Sequence, residues 1–418
     1  MDGAIQLTKK LNYQRGTGIS KVNLKQEEHN INKHEKIDHY KDIVYQCGKC
    51  GTCRTVYQDV NWARICPSGE FGKFEPYYLG GKNLLAWALT SGKLKWTDNL
   101  AKIFYHCSVC LACAQQCQIP EIHAYAGDWL MAMREEAVNQ GYGPMTEHLK
   151  YTESIENENN PYNERNADRL NWLPSNVKIS PDANLAYFVG CTSSYREQQI
   201  AISTTYILNS LDVDFRILNE ECCCGSPVYM TGQASKAKKI AEANIKKFKA
   251  AGIEKIITSC AGCYRTLKEL YTKNFGLNHE IEILHLPEFL LAKFKSGELK
   301  FNNTTDFKIT YHDPCHIGRH MGMYEQPREL LQSIPGIELI EMPRNKHNAW
   351  CCGSGGGVRS AFKEMSAFAA RERIEEAKET SAEALVSCCP FCLNQFKSNI
   401  KNEEIKALDI SEIIKNSL

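Results

Sequence analysis

Past residue 184 the chain changes rhythm. Short apolar runs alternate with stretches whose apolar positions recur every three or four residues, the pattern of strands alternating with helices. The run Leu185-Ala-Tyr-Phe-Val189 predicts a strand ending at Gly190-Cys191. A helix is expected over 196–209, a strand over 214–218, a helix over 234–250 and a strand over 253–258 that ends at Ser259-Cys260. The same order then returns: strands over 307–311, 337–341 and 384–387 lead to Cys315, towards Cys351 and to Cys389. The earlier chain reads differently. Helices are expected over 84–100, on Leu85, Trp87, Ala88 and Leu94, and over 122–138, with Trp129-Leu-Met-Ala-Met133 on the apolar face. Residues 1–42 show little periodicity and read as an extended arm with solvated His29 and His34. Residues 151–183 turn polar, with prolines at 161, 174 and 181, and read as a linker.

The expected fold class is therefore α/β. A helical domain over 43–150 precedes two tandem Rossmann-like units, 184–305 and 306–418, each with a parallel sheet covered by helices on both faces. In such sheets ligands bind beyond the carboxyl ends of the strands, and each cysteine group sits there, before a helix; the longer loop 342–350 ahead of Cys351 is the exception.

Composition changes this picture in one respect. With 418 residues, 43% apolar, 24% charged and a net charge of +1, the chain suits two or three ordinary domains and offers no global field for nucleic acid or an acidic membrane. No apolar run approaches the ~20 residues of a membrane span, and the first 40 residues lack a signal-peptide core. The expected location is cytoplasmic, or peripheral on the inner face of a membrane through a partner. Cysteine is the outlier, at 20 residues. Tight Cys-x-x-Cys groups in a long chain with no export signal point to metal rather than disulfides.

The cysteines fall into two kinds of group. Cys47, Cys50 and Cys53 are spaced by two, with Cys66 twelve residues on; Cys107, Cys110 and Cys113 repeat the spacing, with Cys117 three further on. This is the ferredoxin-type signature for cubane [4Fe–4S] clusters, and its crossed rule joins Cys117 to Cys47, Cys50 and Cys53, and Cys66 to Cys107, Cys110 and Cys113. A pair of zinc sites is the competing reading. The second kind is a duplicated set of five: Cys191, Cys223, Cys224, Cys260 and Cys263, then Cys315, Cys351, Cys352, Cys389 and Cys392. The first gaps are 31 and 35 residues, and those from the Cys-Cys pair to the Cys-x-x-Cys are 35 and 36. Aligning the copies sets Cys222 opposite Trp350 and Cys388 opposite Ser259, so both are expected to be packed thiols rather than ligands.

These motifs, with Tyr311-His-Asp-Pro-Cys-His316, Trp350-Cys-Cys-Gly-Ser354 and Asn160-Pro-Tyr162, resemble the CCG-domain iron–sulfur proteins, and in particular the catalytic D-type subunit of heterodisulfide reductases. The resemblance covers roughly 43–415. It implies two non-cubane [4Fe–4S] clusters, one on each set of five, fed by two cubane clusters. It implies a disulfide held between the non-cubane clusters, each sulfur taking one electron. The substrate would be a disulfide such as the CoM-S-S-CoB heterodisulfide. The alternative is an electron-transfer subunit linking a flavin dehydrogenase for a hydroxy acid or acyl-CoA to a membrane quinone or methanophenazine, without disulfide chemistry.

A disulfide also needs protons. His312 and His316 flank Cys315 and His320 is expected on the next helix; His316 is the proton-handling candidate, against the reading that these side chains bond the cluster or cap the helix. Arg196, Arg265, Arg319 and Arg359 lie near the motifs, either meeting an anionic substrate or simply solvated. Gly353, Gly355, Gly356 and Gly357 would let backbone approach a cluster, and the run lacks the Gly-Lys-Ser/Thr of a phosphate loop. With no Gly-x-Gly-x-x-Gly after the first strand of either repeat, the chain is expected to work in a hetero-oligomer with an electron-donor subunit, a flavoprotein or a membrane cytochrome b. No nucleic-acid partner is expected.

Overall fold

The computed structural model of the chain describes residues 35–56, 63–303, 306–401 and 405–418. His29, His34 and most of the expected arm lie outside the described residues. Two parallel sheets organise the C-terminal half. In the first, β1 (Leu185–Phe188), β2 (Lys255–Thr258) and β3 (Glu282–His285) run in the order β1-β2-β3. In the second, β4 (Phe307–Tyr311), β5 (Ile337–Leu339), β6 (Ala384–Ser387) and β7 (Lys406–Asp409) run in the order β5-β4-β6-β7. Helices on both faces bury these strands, which explains why β6 can be Ala-Leu-Val-Ser with no solvent face.

The expected strand over 214–218 reduces to one bridge, Ala186 to Arg216. Arg216 N donates to Leu185 O and Tyr187 N to Arg216 O, both at 2.9 Å. That bridge takes the edge beside β1 that β5 takes beside β4, so the two sheets share a plan. The edge strands β3 and β7 complete it. Each is four residues long and runs directly into a helix, Leu286–Lys295 or Ile410–Ser417, through a capping box closed by Glu288 or Glu412.

The N-terminal half is helical. Helix Glu35–Tyr45 packs on Leu79–Thr90 and Pro120–Asn139, so the end of the expected arm belongs to this lobe. The expected single helix over 84–100 is broken. It ends at Thr90, the chain turns at Gly92 (φ 69°), and a new helix starts at Asp98 with Thr97 Oγ1 accepting from Leu100 N at 3.3 Å. The stretch read as a linker is not a spacer either. Helix Thr146–Glu158 fills its start, and Asn160, Arg169 and Trp172 are buried beyond it. The helix expected after Cys315 is absent: Pro314 and Gly322 (φ 73°) hold 315–321 in turns, and His320 lies there.

Arg134, on helix Pro120–Asn139, joins the three bodies. Fully buried, it donates to Phe104 O (2.9 Å) and Cys107 O in the helical lobe, Met230 O (2.6 Å) in the first α/β unit and Gly356 O (2.9 Å) in the second. Glycine is required at the last contact. Gly356 has φ 63°, and a Cβ there would stand 2.7 Å from Cys107 O. Among the described residues no helix is long and apolar enough to cross a membrane.

Candidate functional site

Each sheet delivers its cysteines at the carboxyl edge. Cys191 opens helix Cys191–Tyr195 three residues past β1, Cys260 caps Ala261–Arg265 past β2, and Cys389 caps Pro390–Lys397 past β6. The paired cysteines are shaped alike in the two units. Gly225 N points at Cys223 Sγ (3.5 Å) and Gly353 N at Cys351 Sγ (3.4 Å). Both glycines have φ near +85°, so the glycine of each Cys-Cys-Gly turns the backbone amide onto the preceding sulfur.

The thiols within each set touch in a matching order. Cys224 accepts hydrogen bonds from Cys223 and Cys263, which hold its thiol well below the usual range while its two donors rise. Cys352 is placed likewise between Cys351 and Cys392, the latter donating at 3.2 Å. Cys223 reaches Cys191, and Cys351 reaches Cys315. The sets meet at equivalent positions: Cys260 bonds Cys389, whose thiol is pushed up to about 12, first by that contact. The two sets therefore touch through equivalent residues of the two repeats. Around this seam lies a cavity of about 610 Å³ lined by cysteines of both sets. Among the described residues no aspartate, glutamate or lysine lines it; Arg196 and Arg359 do, with Tyr162 and Phe391.

The other eight cysteines form two groups in the helical lobe. Cys53 and Cys117 both face Cys47 and Cys50. Cys66 faces Cys107 and Cys110, and Cys113 faces all three. Burial is the main force raising the Cys66 thiol to about 12, and it raises the Cys113 thiol well above the usual range. Cys66 is returned to its group by a short antiparallel bridge, Thr55 to Arg64, which closes the stretch after Cys53. Cys50 is exposed, whereas Cys110 is buried against Cys351 of the second set of five. Ser108 Oγ also lies 3.5 Å from Cys351 Sγ. None of the 20 cysteines is in a disulfide.

The remaining candidates separate clearly. Cys388 bonds Tyr311 OH at 2.8 Å, and its counterpart Ser259 bonds Tyr187 OH at 2.9 Å, so one pocket is filled by either residue type. Cys222 is half-buried, its thiol raised to about 11 chiefly by that burial. Arg373 Nε donates to His312 Nδ1 at 3.2 Å, which leaves Nε2–H to face Cys352; burial holds this imidazole below its usual range. His316 lines the cavity, pushed down to about 3 by burial and then by Arg265. His320 donates to Val109 O at 3.0 Å, tying the second α/β unit to the helical lobe. Arg265 pairs with Glu269 at 3.0 Å, and Arg319 is buried on the carbonyls of Cys110 and Ala349, both at 2.6 Å. Gly355, Gly356 and Gly357 admit the close approach of Ser108, Cys107 and His148 of the helical lobe, and they line the cavity as well.

Two side chains were not visible as candidates from the sequence. Arg134 is one. Arg169 is the other: buried in the stretch read as a linker, it reaches Cys191 Sγ at 3.7 Å and forms a buried ion pair with Glu221.

Comparison with known proteins agrees with this architecture. Residues 185–268 and 309–397 each match the family model "CCG: Cysteine-rich domain". The chain is 33% identical over 394 residues to the D subunit of the dihydromethanophenazine:CoB–CoM heterodisulfide reductase of Methanosarcina acetivorans, covering 88% of this chain and 91% of that protein. It is 31% identical to the B subunit of the fumarate reductase (CoM/CoB) of Methanothermobacter marburgensis, covering 74% and 60%. It is 28% identical to the EtfAB:quinone oxidoreductase of Syntrophomonas wolfei, covering 75% and 46%. The crystal structure of a hypothetical protein from Helicobacter pylori is similar in fold alone, with a TM-score of 0.56 at 12% identity over 93% of this chain and 76% of that chain. Duplicated cysteine repeats, parallel sheets and near full-length similarity converge: the chain belongs to the CCG-domain iron–sulfur oxidoreductases, in the family of the heterodisulfide reductase D subunits.

Proposed function

We propose that this chain reduces a small-molecule disulfide, such as CoM-S-S-CoB, in the cavity between its two sets of five cysteines. The observation that carries this reading is the cavity of about 610 Å³ lined by both sets, with their equivalent residues Cys260 and Cys389 in contact. Two similar one-electron centres on one pocket suit a two-electron bond cleavage.

The donor sets fit four clusters. Cys47, Cys50, Cys53 and Cys117 would hold the outer cubane, and Cys66, Cys107, Cys110 and Cys113 the inner one. The two sets of five would hold non-cubane clusters. Among the described residues, the one group of three or more ligating side chains that closes to within 4.8 Å is His312, Cys352 and Cys392, so no three of the eight lobe cysteines close on a single ion. That spacing supports clusters over zinc, whose four ligands sit ~2.3 Å from one ion. When bound, the clusters would supply one-electron transfer. The chain's own residues hold them, exclude water and shape the cavity.

Electrons would enter at Cys50, the exposed cysteine, and leave the lobe where buried Cys110 meets Cys351. The donor would be a partner subunit, a flavoprotein or a membrane cytochrome b, in a hetero-oligomer, with any membrane contact made by that partner. His312 would orient Cys352 rather than carry protons, and His316 is the ring that lines the cavity. The name of the Syntrophomonas relative favours a second reading, electron transfer to a quinone without disulfide chemistry.

Metal analysis with a substrate test separates these. About 16 iron atoms per chain are expected from four clusters of four. Oxidised protein titrated with coenzyme M or coenzyme B should give a new cluster-based paramagnetic signal, and a viologen donor should drive heterodisulfide reduction. Full iron with no response to thiol or disulfide supports the second reading; zinc in the helical lobe refutes both.

A further inference from the structure

Different segments cover the two sets of five. Residues 159–172 close on the first, where Asn159 O accepts from Cys223 N at 2.8 Å and Arg169, paired with Glu221, reaches Cys191 Sγ. The inner loop of the helical lobe, 107–110, closes on the second. Ser108 Oγ lies 3.5 Å from Cys351 Sγ, and the Cys110 thiol donates a hydrogen bond to Cys351. This is the contact that joins a cysteine group of the lobe to a set of five.

Arg319 stands at that joint. Its backbone lies four residues past Cys315, and its side chain ties two further cysteine-bearing segments together. Nε donates to Cys110 O at 2.6 Å, and Nη1 donates to Ala349 O at 2.6 Å, two residues before Cys351, and to His347 O at 3.3 Å. Nη2 is buried with no hydrogen-bond acceptor. Burial disfavours the charge, but Cys110, Cys315 and Cys351, in that order, more than offset it, so the guanidinium stays charged. A buried cation with a spare N–H group, balanced by cysteines of two different groups, suits an anionic centre on either side of it. A neutral tie crosses the same joint: Gln116 Nε2 donates to Asn348 Oδ1 at 2.8 Å. Charge and geometry can therefore be varied separately.

Net charge and hydrogen bonds around a cluster set its potential, and a nearby cation favours the reduced, more negative state. We propose that Arg319 is a positioning residue for the hand-over of electrons, its one charge shared by the inner group of the lobe and the second set of five and easing the reduction of both. One electron crossing there would oxidise the inner group by one and reduce the second site by one, with no bond or proton changed. The inference rests on the reading that both groups hold clusters, but not on any disulfide being reduced.

Redox titration of the iron-loaded protein, followed by paramagnetic resonance, tests it. In Arg319→Met one cubane and one non-cubane midpoint should each fall by a tenfold electron partition or more, 59 mV for one electron, while the other two stay put. Arg319→Gln, which keeps a donor but no charge, should show the same pair of shifts. Arg319→Lys, which keeps the charge, should restore most of both. Gln116→Met removes the neutral tie and should move no midpoint. Midpoints unmoved in Arg319→Met, a shift at one site alone or at all four, or the same pair shifting in Gln116→Met overturns the inference, as does loss of iron from both neutral variants of Arg319. Native protein with fewer than four clusters would instead refute the cluster reading.

Discussion

Arg134→Met is the sharpest test of how the lobes are joined. The substitution keeps the length of the side chain and removes its donors, among them those to four carbonyls, Phe104, Cys107, Met230 and Gly356. Each unpaired buried acceptor costs roughly 1–3 kcal/mol, an upper sum of about 4–12 kcal/mol. Against this, Arg134 has no carboxylate partner among the described residues, and removing a buried cation returns several kcal/mol. A net loss of about 3 kcal/mol follows, a fall in Tm of roughly 3–4 °C for a chain of this size. Because the four carbonyls lie on three different bodies, the loss should fall on their alignment. Anaerobic calorimetry should show the single transition broadening or splitting, and, if the proposed clusters are held as above, electrons should pass from the lobe to the CCG sites more slowly with iron content unchanged. Arg134→Lys, with three donors from one point, should recover part of each effect. A native Tm with an undivided transition would refute the assignment of Arg134 as the joint.

Other expectations follow from single contacts. Gly356→Ala places a methyl 2.7 Å from Cys107 O at a φ of 63° and should reproduce the alignment defect without removing any hydrogen bond, read by the same calorimetry. His106 and His148 are held down to about 4 and His285 to about 3, chiefly by burial. The unfolded chain takes up these protons near pH 6.5 and the folded one does not, so stability is full above pH 6.5 and is lost as the pH falls towards 4. His148→Gln, which keeps a donor for Gly357 O, should flatten the fall in Tm between pH 7 and pH 5, and an unchanged slope would exclude His148 as a contributor. Cys388→Ser should leave iron content unchanged and stability within about 1 kcal/mol of native, since Ser259 fills the matching place; loss of iron would make Cys388 a ligand. Arg359 lines the cavity and hydrogen-bonds Ser398 (3.1 Å), while Arg196 is paired with Glu164. Arg359→Gln should therefore raise KM about tenfold for an anionic disulfide, on the order of 1.4 kcal/mol, and leave a neutral one unchanged.

The α/β alternation was legible because buried parallel strands are short apolar runs, and β4 and β6 fall on the residues expected. The edge strands β3 and β7 were hidden for a physical reason. Four residues at a sheet edge need no long apolar run, and the helix that starts at the next residue swamps their period. The strand over 214–218 looked stronger than it is, since Phe215 and Ile217 are apolar because they are buried, while the ladder beside β1 is a single bridge at Arg216. The cysteine groups could be read from spacing alone. Arg169 could not: it stands 22 residues before Cys191 in a polar stretch, and only the fold brings the two together. The glycine run was read for what it permits, and the structure adds what it permits it for, the close approach of residues 107 and 108.

The unequal covering of the two repeats also sets a direction for divergence. A descendant that erased Cys191, Cys223, Cys224, Cys260 and Cys263 would keep Cys110 beside Cys351, and with the proposed clusters it would still carry single electrons out of the helical lobe. One that erased the second five would cut the first copy off from that lobe. On the proposed reading, the first copy can be spared by a lineage that gives up disulfide chemistry for simple electron carriage, and the second cannot.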